Sequence, residues 1–391
     1  MRQSGTAEYV DVIVVGAGPA GSSAALRLAQ AGKRVLLLEK EDLPRYKTCG
    51  GGIVGRIANE IPLDEASCVQ RALGVATMHL PRAGLHFEVQ RSQPILYTVM
   101  RAEFDSWLCE RARAAGATLR FGCPVQGLEQ SANGVEVWTP QGRFGADFVV
   151  GADGATSRVA RWAGWDADVR TIPALEWEIP VASDTLRRFS TAARFDFDVE
   201  PSGYAWVFPK SQHLSAGILS LRRGAHALRR QLENYLARLH IAPSAAPSYH
   251  GALIPIAPRR GGPARDRVLL CGDAAGLVDP VTGEGISYAL RSGAMAASAL
   301  LSSRADPHSV CTAYEHALNH SLHAELRMAR LLAHVLADAS LRTWVFRRLG
   351  SQLCETMTDV IQGRFSYTGL LSSSSSYLAL SRLLLRSVRR A

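Results

Sequence analysis

Apolar positions along this chain fall into three regimes. In the first, short continuous runs such as Val12 to Val15 and Val35 to Leu38 flank a helical pattern. Such runs read as strands buried on both faces, and the strand–helix–strand order predicts a parallel sheet with crossovers through about residue 60. Residues 84–100 read as an antiparallel hairpin. A helix after Arg101 is predicted to carry Phe104, Leu108 and Ala112 on one face, with a strand at 118–121 and a strand pair over 134–150. From about residue 171 the period becomes two. Leu175, Trp177, Ile179 and Val181 alternate with Glu176, Glu178 and Pro180; Ala193, Phe195, Phe197 and Val199 alternate with Arg194, Asp196 and Asp198. That pattern predicts a sheet with one buried face, and a further strand pair is expected over 203–221. After Val268 the chain returns to strand, glycine-rich turn and helix. The third regime, 307–365, has helical spacing with breaks expected near Asp338-Ala339-Ser340 and at Gly350.

These regimes predict an α/β fold: a nucleotide-binding domain of parallel sheet and helices, interrupted by an antiparallel sheet domain and followed by C-terminal helices. Residues 1–83, 101–165 and 258–305 are assigned to the first. The hairpin at 84–100 and residues 166–257 are assigned to a substrate domain, and 306–391 to the helical region.

The glycines supply the first chemistry. Gly16-Ala17-Gly18-Pro19-Ala20-Gly21 joins the first strand to the first helix, and the second strand ends at Glu39-Lys40. Gly16 permits the tight turn, Gly18 lets backbone approach a pyrophosphate, and Gly21 lets helix pack on strand. Unpaired N–H groups at the helix start attract phosphate, and Glu39 is placed to accept hydrogen bonds from an adenosine ribose while repelling a 2′-phosphate.

Composition narrows the partners. The chain has 391 residues, more than one typical domain. Its seven cysteines are an odd number without a CxxC pair, which fits reduced thiols in a cytoplasmic protein better than a disulfide framework or a zinc site. No signal-peptide layout is expected, and no apolar stretch approaches the roughly 18 residues of a membrane span. The net charge of +9 points to anionic partners, but the basic residues lack interleaved aromatics, so nucleic acid is not expected. Ser372 to Ser376 reads as a linker. Beyond it Arg382, Arg386, Arg389 and Arg390 share a helical face opposite Leu380, Leu384 and Leu385. That tail reads either as an amphipathic helix adsorbed to the inner face of an anionic membrane or as a packed terminal helix with solvated arginines. His213, His250, His308, His316, His320 and His323 lack acids at ligand spacing and read as solvated helix residues, so no metal is expected. Cysteines other than Cys49 read as small core residues.

Later motifs carry a family resemblance. Gly151-Ala152-Asp153-Gly154 with Ser157-Arg158 resembles the DG motif of group A flavoprotein oxidoreductases, and Cys271-Gly272-Asp273 with Gly283-Glu284-Gly285-Ile286 resembles their GD motif. Arg45-Tyr46-Lys47-Thr48-Cys49-Gly50-Gly51-Gly52-Ile53 is similar to the cysteine–glycine loop of geranylgeranyl reductases. Gly203-Tyr204-Ala205-Trp206-Val207-Phe208-Pro209-Lys210 is similar to their YxWxFP motif, and Met100-Arg101 to their arginine helix. The resemblance covers the first three-quarters of the chain. It departs at Ser215-Ala216-Gly217-Ile218, where the family often shows Val-Gly-x-Gly, and this leaves the shape of the substrate pocket open.

The resemblance implies FAD as resident cofactor, in a Rossmann-type domain. It implies contacts from Gly16 to Gly21, Glu39, Lys40, Arg45, Cys49 to Gly52, Arg101, Val125, Asp153, Gly154, Gly272, Asp273, Gly283, Gly285 and Ile286. Asp273 suits a ribityl hydroxyl, and the helix beginning near Glu284 aims its N-terminus at the flavin pyrimidine edge. The implied reaction is reduction of carbon–carbon double bonds of an isoprenoid or lipid-like substrate, by hydride from reduced flavin. Cys49, Tyr204 and Trp206 are the candidate catalytic residues. Tyr204, Trp206 and Phe208 share a sheet face and suit an aromatic wall, or else a plain core. Cys49 is either the proton donor or a small residue chosen for fit. With one dinucleotide fingerprint, electrons come from visiting NADPH or from a reduced protein donor. A group A aromatic monooxygenase is the alternative reading, and a non-catalytic flavoprotein is a third.

Overall fold

In the computed structural model, residues 8–165, 169–222, 227–302 and 306–372 are described. An eight-stranded sheet forms the nucleotide-binding side. Its central path runs Ala264–Arg265, Val268–Leu270, Gly142–Gly151, Glu8–Val15, Val35–Leu38, Thr118–Arg120, with Gly134–Thr139 and Gly127–Ser131 branching from Gly142–Gly151. Val12 sits opposite both Phe148 and Val35 in parallel register, and Val149 opposite Val268. Val35–Leu38 is buried at every position, as a strand covered on both faces must be. Helix Pro19–Gln30 packs against Ile286–Ser302, where a β-carbon at Gly293 would strike the Ala20 carbonyl.

A seven-stranded sheet faces it, in the order Ser248–Pro255, Thr171–Pro180, His213–Ser220, Gly203–Pro209, Ala192–Phe197, Val75–Leu80, Leu85–Gln90. A three-stranded sheet of Gly52–Val54, Leu96–Val99 and Val69–Leu73 lies between.

Three expectations change. Residues 84–100 are not a hairpin: Leu85–Gln90 pairs with Val75–Leu80, and Leu96–Val99 is the centre of the small sheet. Pro94 interrupts the run, and the flanking Arg91 and Ile95 amides bond to Gly74 and Leu73 carbonyls, which turns the chain from one sheet into the other. The strand Val75–Leu80, taken with the first nucleotide segment, thus belongs to the substrate sheet, in parallel with Ala192–Phe197. Second, the period-two strands are buried on both faces. Trp177, Ile179, Val207 and Ala216 pack with Leu232 and Tyr235 of helix Leu228–Arg238, yet Glu176 and Glu178 on the other face are buried as well. Third, helix Ala339–Ile361 runs straight through Gly350, whose missing β-carbon leaves room for the Phe87 ring. The expected break at Asp338 is present, with its carboxylate capping Leu341 N–H at 2.8 Å. The serine run from 373 and the basic tail fall outside the described residues. Among those described, no helix is long and apolar enough to cross a membrane.

Candidate active site between the two sheets

A cavity of about 620 Å³ separates the nucleotide-binding sheet from the seven-stranded one. At its nucleotide end the strand Glu8–Val15 stops at Gly16, whose φ of 103° is open to glycine but strained for other residues. A β-carbon there would overlap the Ala152 carbonyl, so the turn lies directly on the Ala152-Asp153 backbone. Helix Pro19–Gln30 starts at Gly18 without a side-chain cap, leaving its first N–H groups for a bound anion. Nothing lies within 4 Å of the missing Gly18 side chain.

Glu39 ends the next parallel strand and is buried. It accepts the Ala17 N–H at 2.9 Å and the Glu41 N–H at 3.2 Å, and Arg45 approaches it at 3.5 Å. Arg45 also donates to Asp105 at 2.9 Å, and Arg101 grips the same carboxylate through two bonds of 2.9 Å. Asp105 is fully buried and thereby fixes both guanidinium groups at the cavity rim. Arg101 is itself desolvated, but Asp105 and Cys49 outweigh that and raise its pKa. Asp153 faces inward from the DG turn and caps helix Arg158–Trp162, accepting Arg158 N–H at 2.7 Å and Val159 N–H at 3.0 Å. Asp273 borders the cavity beside Gly285, its pKa raised by burial. The Gly283-Glu284-Gly285 turn is pinned by Arg56, which donates to Glu284 at 2.8 Å; the helix after it starts at Ile286.

The opposite wall is aromatic. Tyr204, Trp206 and Phe208 line the cavity with successive ring centroids 6.1 and 6.2 Å apart. The Tyr204 hydroxyl donates to the Thr282 carbonyl, tying this wall to the flavin-motif turn. Between the walls runs the Cys49-Gly50-Gly51-Gly52 loop. Gly51 has φ 64°, and a β-carbon there would overlap both the Val99 carbonyl and the Lys210 ammonium. Lys210 is completely buried beneath the loop, donating to Gly50 O at 2.9 Å and Val99 O at 2.6 Å; desolvation lowers its pKa. The Cys49 N–H donates to Glu176 at 2.9 Å, and its Sγ accepts from Gly51 N–H at 3.4 Å.

Most residues singled out in the sequence line this one cavity, Lys40 and Val125 included. Ala17, Gly21 and Gly272 do not. Ala17 contributes its amide to Glu39, a side chain at Gly21 would overlap the Gly16 carbonyl, and the Gly272 amide donates to Ser292 Oγ at 2.9 Å. Sequence reasoning missed the buried Glu176, Glu178 and Lys210 and the partly buried His213 as one group. The two acids looked solvent-facing because they alternate with apolar residues, and Lys210 was only the end of a motif. His213 and His250 lie on strands, His213 bonded to Glu178 at 2.8 Å.

The residues present fit FAD. Trp206 Nε1 is buried without a hydrogen-bond partner, next to the space that Gly50 keeps clear, so an acceptor on a bound group would satisfy it. The uncapped helix, the bare Gly18 face and the Asp273 carboxyl add sites for phosphate and hydroxyl groups.

Comparison with known proteins agrees. A profile of the FAD binding domain family matches residues 9–195. A geranylgeranyl diphosphate reductase of Rhodobacter capsulatus is 32% identical, over 74% of this chain and 75% of its own. A menaquinone reductase of Mycolicibacterium smegmatis is 29% identical over 93% of this chain and 96% of its own, so similarity extends into the C-terminal helices. Among solved structures, a geranylgeranyl bacteriochlorophyll reductase-like protein from Thermoplasma acidophilum superposes with a TM-score of 0.76 at 25% identity, covering 95% of this chain and 96% of the other.

Proposed function

The chain belongs to the geranylgeranyl reductase family of FAD-dependent oxidoreductases, and from that premise we propose that it reduces carbon–carbon double bonds of an isoprenoid or lipid-like substrate. The observation that carries this reading is the aromatic wall of Tyr204, Trp206 and Phe208, facing the nucleotide-binding turns across one cavity. Reduced FAD, when bound, supplies a hydride; everything else falls to the protein. An isolated alkene is a poor electrophile, so positioning and exclusion of water dominate. The aromatic wall, with Leu219 and Ile254 packed beside it, provides a dry surface for a prenyl chain. Arg45 and Arg101, held by Asp105, offer positive charge at the rim. Cys49 sits with its amide anchored and its thiol near Arg101, either donating a proton or shaping the floor.

Electrons arrive from NADPH or a reduced protein donor, and the basic tail brings the chain to the inner face of an anionic membrane where such substrates reside. Deleting residues 378–391 is expected to abolish co-sedimentation with anionic vesicles; unchanged binding retires the membrane role. The reductase reading is tested by supplying FAD-loaded protein with dithionite and geranylgeranyl diphosphate under nitrogen. A product heavier by two mass units per double bond supports it. A product formed only in air, carrying oxygen, supports the hydroxylase instead.

A further inference from the structure

Three ionisable side chains, Glu176, Glu178 and His213, form a line that reaches the sheet wall of the cavity at Glu176 and has no part in the reaction described so far. Register places the two acids. Glu176 lies opposite Gly217, which lies opposite Trp206; Glu178 lies opposite Ser215, which lies opposite Phe208. Residues directly opposite on an antiparallel sheet share a face, so both acids project on the side of the aromatic wall. Gly217 has no side chain, and the Trp206 ring covers it, which brings the indole next to the Glu176 lane.

Each carboxyl is bonded. Glu176 accepts from the Cys49 N–H at 2.9 Å, the Tyr46 hydroxyl at 3.1 Å and Ser215 Oγ at 3.2 Å. Glu178, two residues further along the same sheet face, meets His213 Nε2 at 2.8 Å. Exposure is graded along the line: the His213 side chain is 22% exposed, that of Glu178 10%, and Glu176 as a residue only 1%. The line therefore leads from solvent to the cavity. Two buried carboxyls side by side on one sheet face resist double ionisation, so one of them keeps its proton. Burial and the Glu178 charge raise Glu176, whereas His213 holds Glu178 lower despite burial. The other charged or titratable groups facing the pair are Lys210 beneath the loop, His250 across on the edge strand, Tyr46 and Cys49.

Resting on the reductase reading, we infer that Glu176 holds the proton that completes double-bond reduction, and that Glu178 and His213 resupply it from solvent. In the balanced step the alkene π bond is lost and two C–H bonds form. One takes the hydride of reduced flavin; the other takes the proton as the Glu176 O–H bond breaks. The alkene gains two electrons, matched by two-electron oxidation of the flavin. Glu176 then recovers a proton from His213 through Glu178, and His213 recovers one from water. Cys49 keeps its place in the loop and is not the proton source.

The test uses full-length FAD-loaded protein, reduced anaerobically with dithionite and mixed with geranylgeranyl diphosphate while flavin reoxidation is followed across pH. Wild type should react fastest at low pH and slow as Glu176 ionises. Glu176→Gln should lose about 100-fold or more with FAD content and spectrum intact, the usual scale of general-acid removal. His213→Gln should show a smaller loss that added imidazole restores. If Glu176→Gln cannot hold FAD, His213→Gln decides: imidazole rescue supports the relay, and wild-type rate with a wild-type pH profile overturns it. Glu176→Gln that binds FAD and reacts as fast as wild type also overturns it. Wild type that no isoprenoid reoxidises overturns the reductase reading and this inference together, whereas an active wild type beside unaffected variants overturns the inference alone.

Discussion

The two walls of the cavity are specified in different ways. The nucleotide wall is local: Gly16, Gly18 and Gly21 lie within one turn and one helix, and each position has a backbone reason that neighbours in sequence reveal. The sheet wall is assembled from afar. Glu176 meets Cys49 across 127 positions and Lys210 meets Val99 across 111. A wall set by local backbone geometry tolerates little substitution but is readable. A wall set by register between distant strands places charge where alternation alone suggests water. Substitutions on the two sides should therefore fail differently.

The largest effect is expected on the nucleotide wall. Gly16→Val forces a branched side chain into positive φ, worth roughly 1–3 kcal/mol in strain alone, and into the Ala152 carbonyl. Purified protein should be colourless after FAD is added, by flavin absorbance. Yellow protein with normal affinity would show that the turn does not carry the cofactor.

On the sheet wall, Lys210→Met should leave the Gly50 and Val99 carbonyls without their donor, at about 1–3 kcal/mol for each unsatisfied group. The fold should survive, but the Cys49 loop loosens and FAD affinity should fall by about tenfold or more. A titration showing unchanged affinity with a lower melting temperature would make Lys210 structural only. Away from both walls, Gly350→Ala should drive a methyl into the Phe87 ring and destabilise by about 1–3 kcal/mol without touching FAD binding. Lost flavin in that variant would contradict the separation of core from site.

The same contrast explains what was legible beforehand. The parallel sheet, the Asp338 cap and the face of Phe104, Leu108 and Ala112 follow from short-range pattern, and all are present. The shared face of Tyr204, Trp206 and Phe208 was readable from period two. What that pattern did not disclose was a second cover over the sheet. Glu176 and Glu178 looked exposed because their neighbours are apolar, but the Cys49 loop lies over them. The split of residues 84–100 was hidden for a similar reason: which sheet a strand joins depends on where the Gly74 and Leu73 carbonyls stand.

The smallest effect is on stability against pH. Burial, with Glu178 beside it, pushes Glu176 up to about 8, so the folded chain keeps a proton that the unfolded chain has already released. The folded state then binds more protons between the usual carboxylate range and that value, and stability must fall as pH rises through this window. Lys210, depressed by burial, acts oppositely at higher pH. Glu176→Gln should flatten the decline in urea midpoints; an equal slope in both proteins would contradict the buried protonated acid.

The most direct measurement of the central claim is stoichiometric. Flavin in the wild-type protein is reduced by two electrons, excess reductant is removed, and geranylgeranyl diphosphate is added without oxygen. The account predicts that the flavin absorbance returns in one turnover and that one double bond disappears for each flavin reoxidised. Flavin that stays reduced until air is admitted, with every double bond intact, would contradict it.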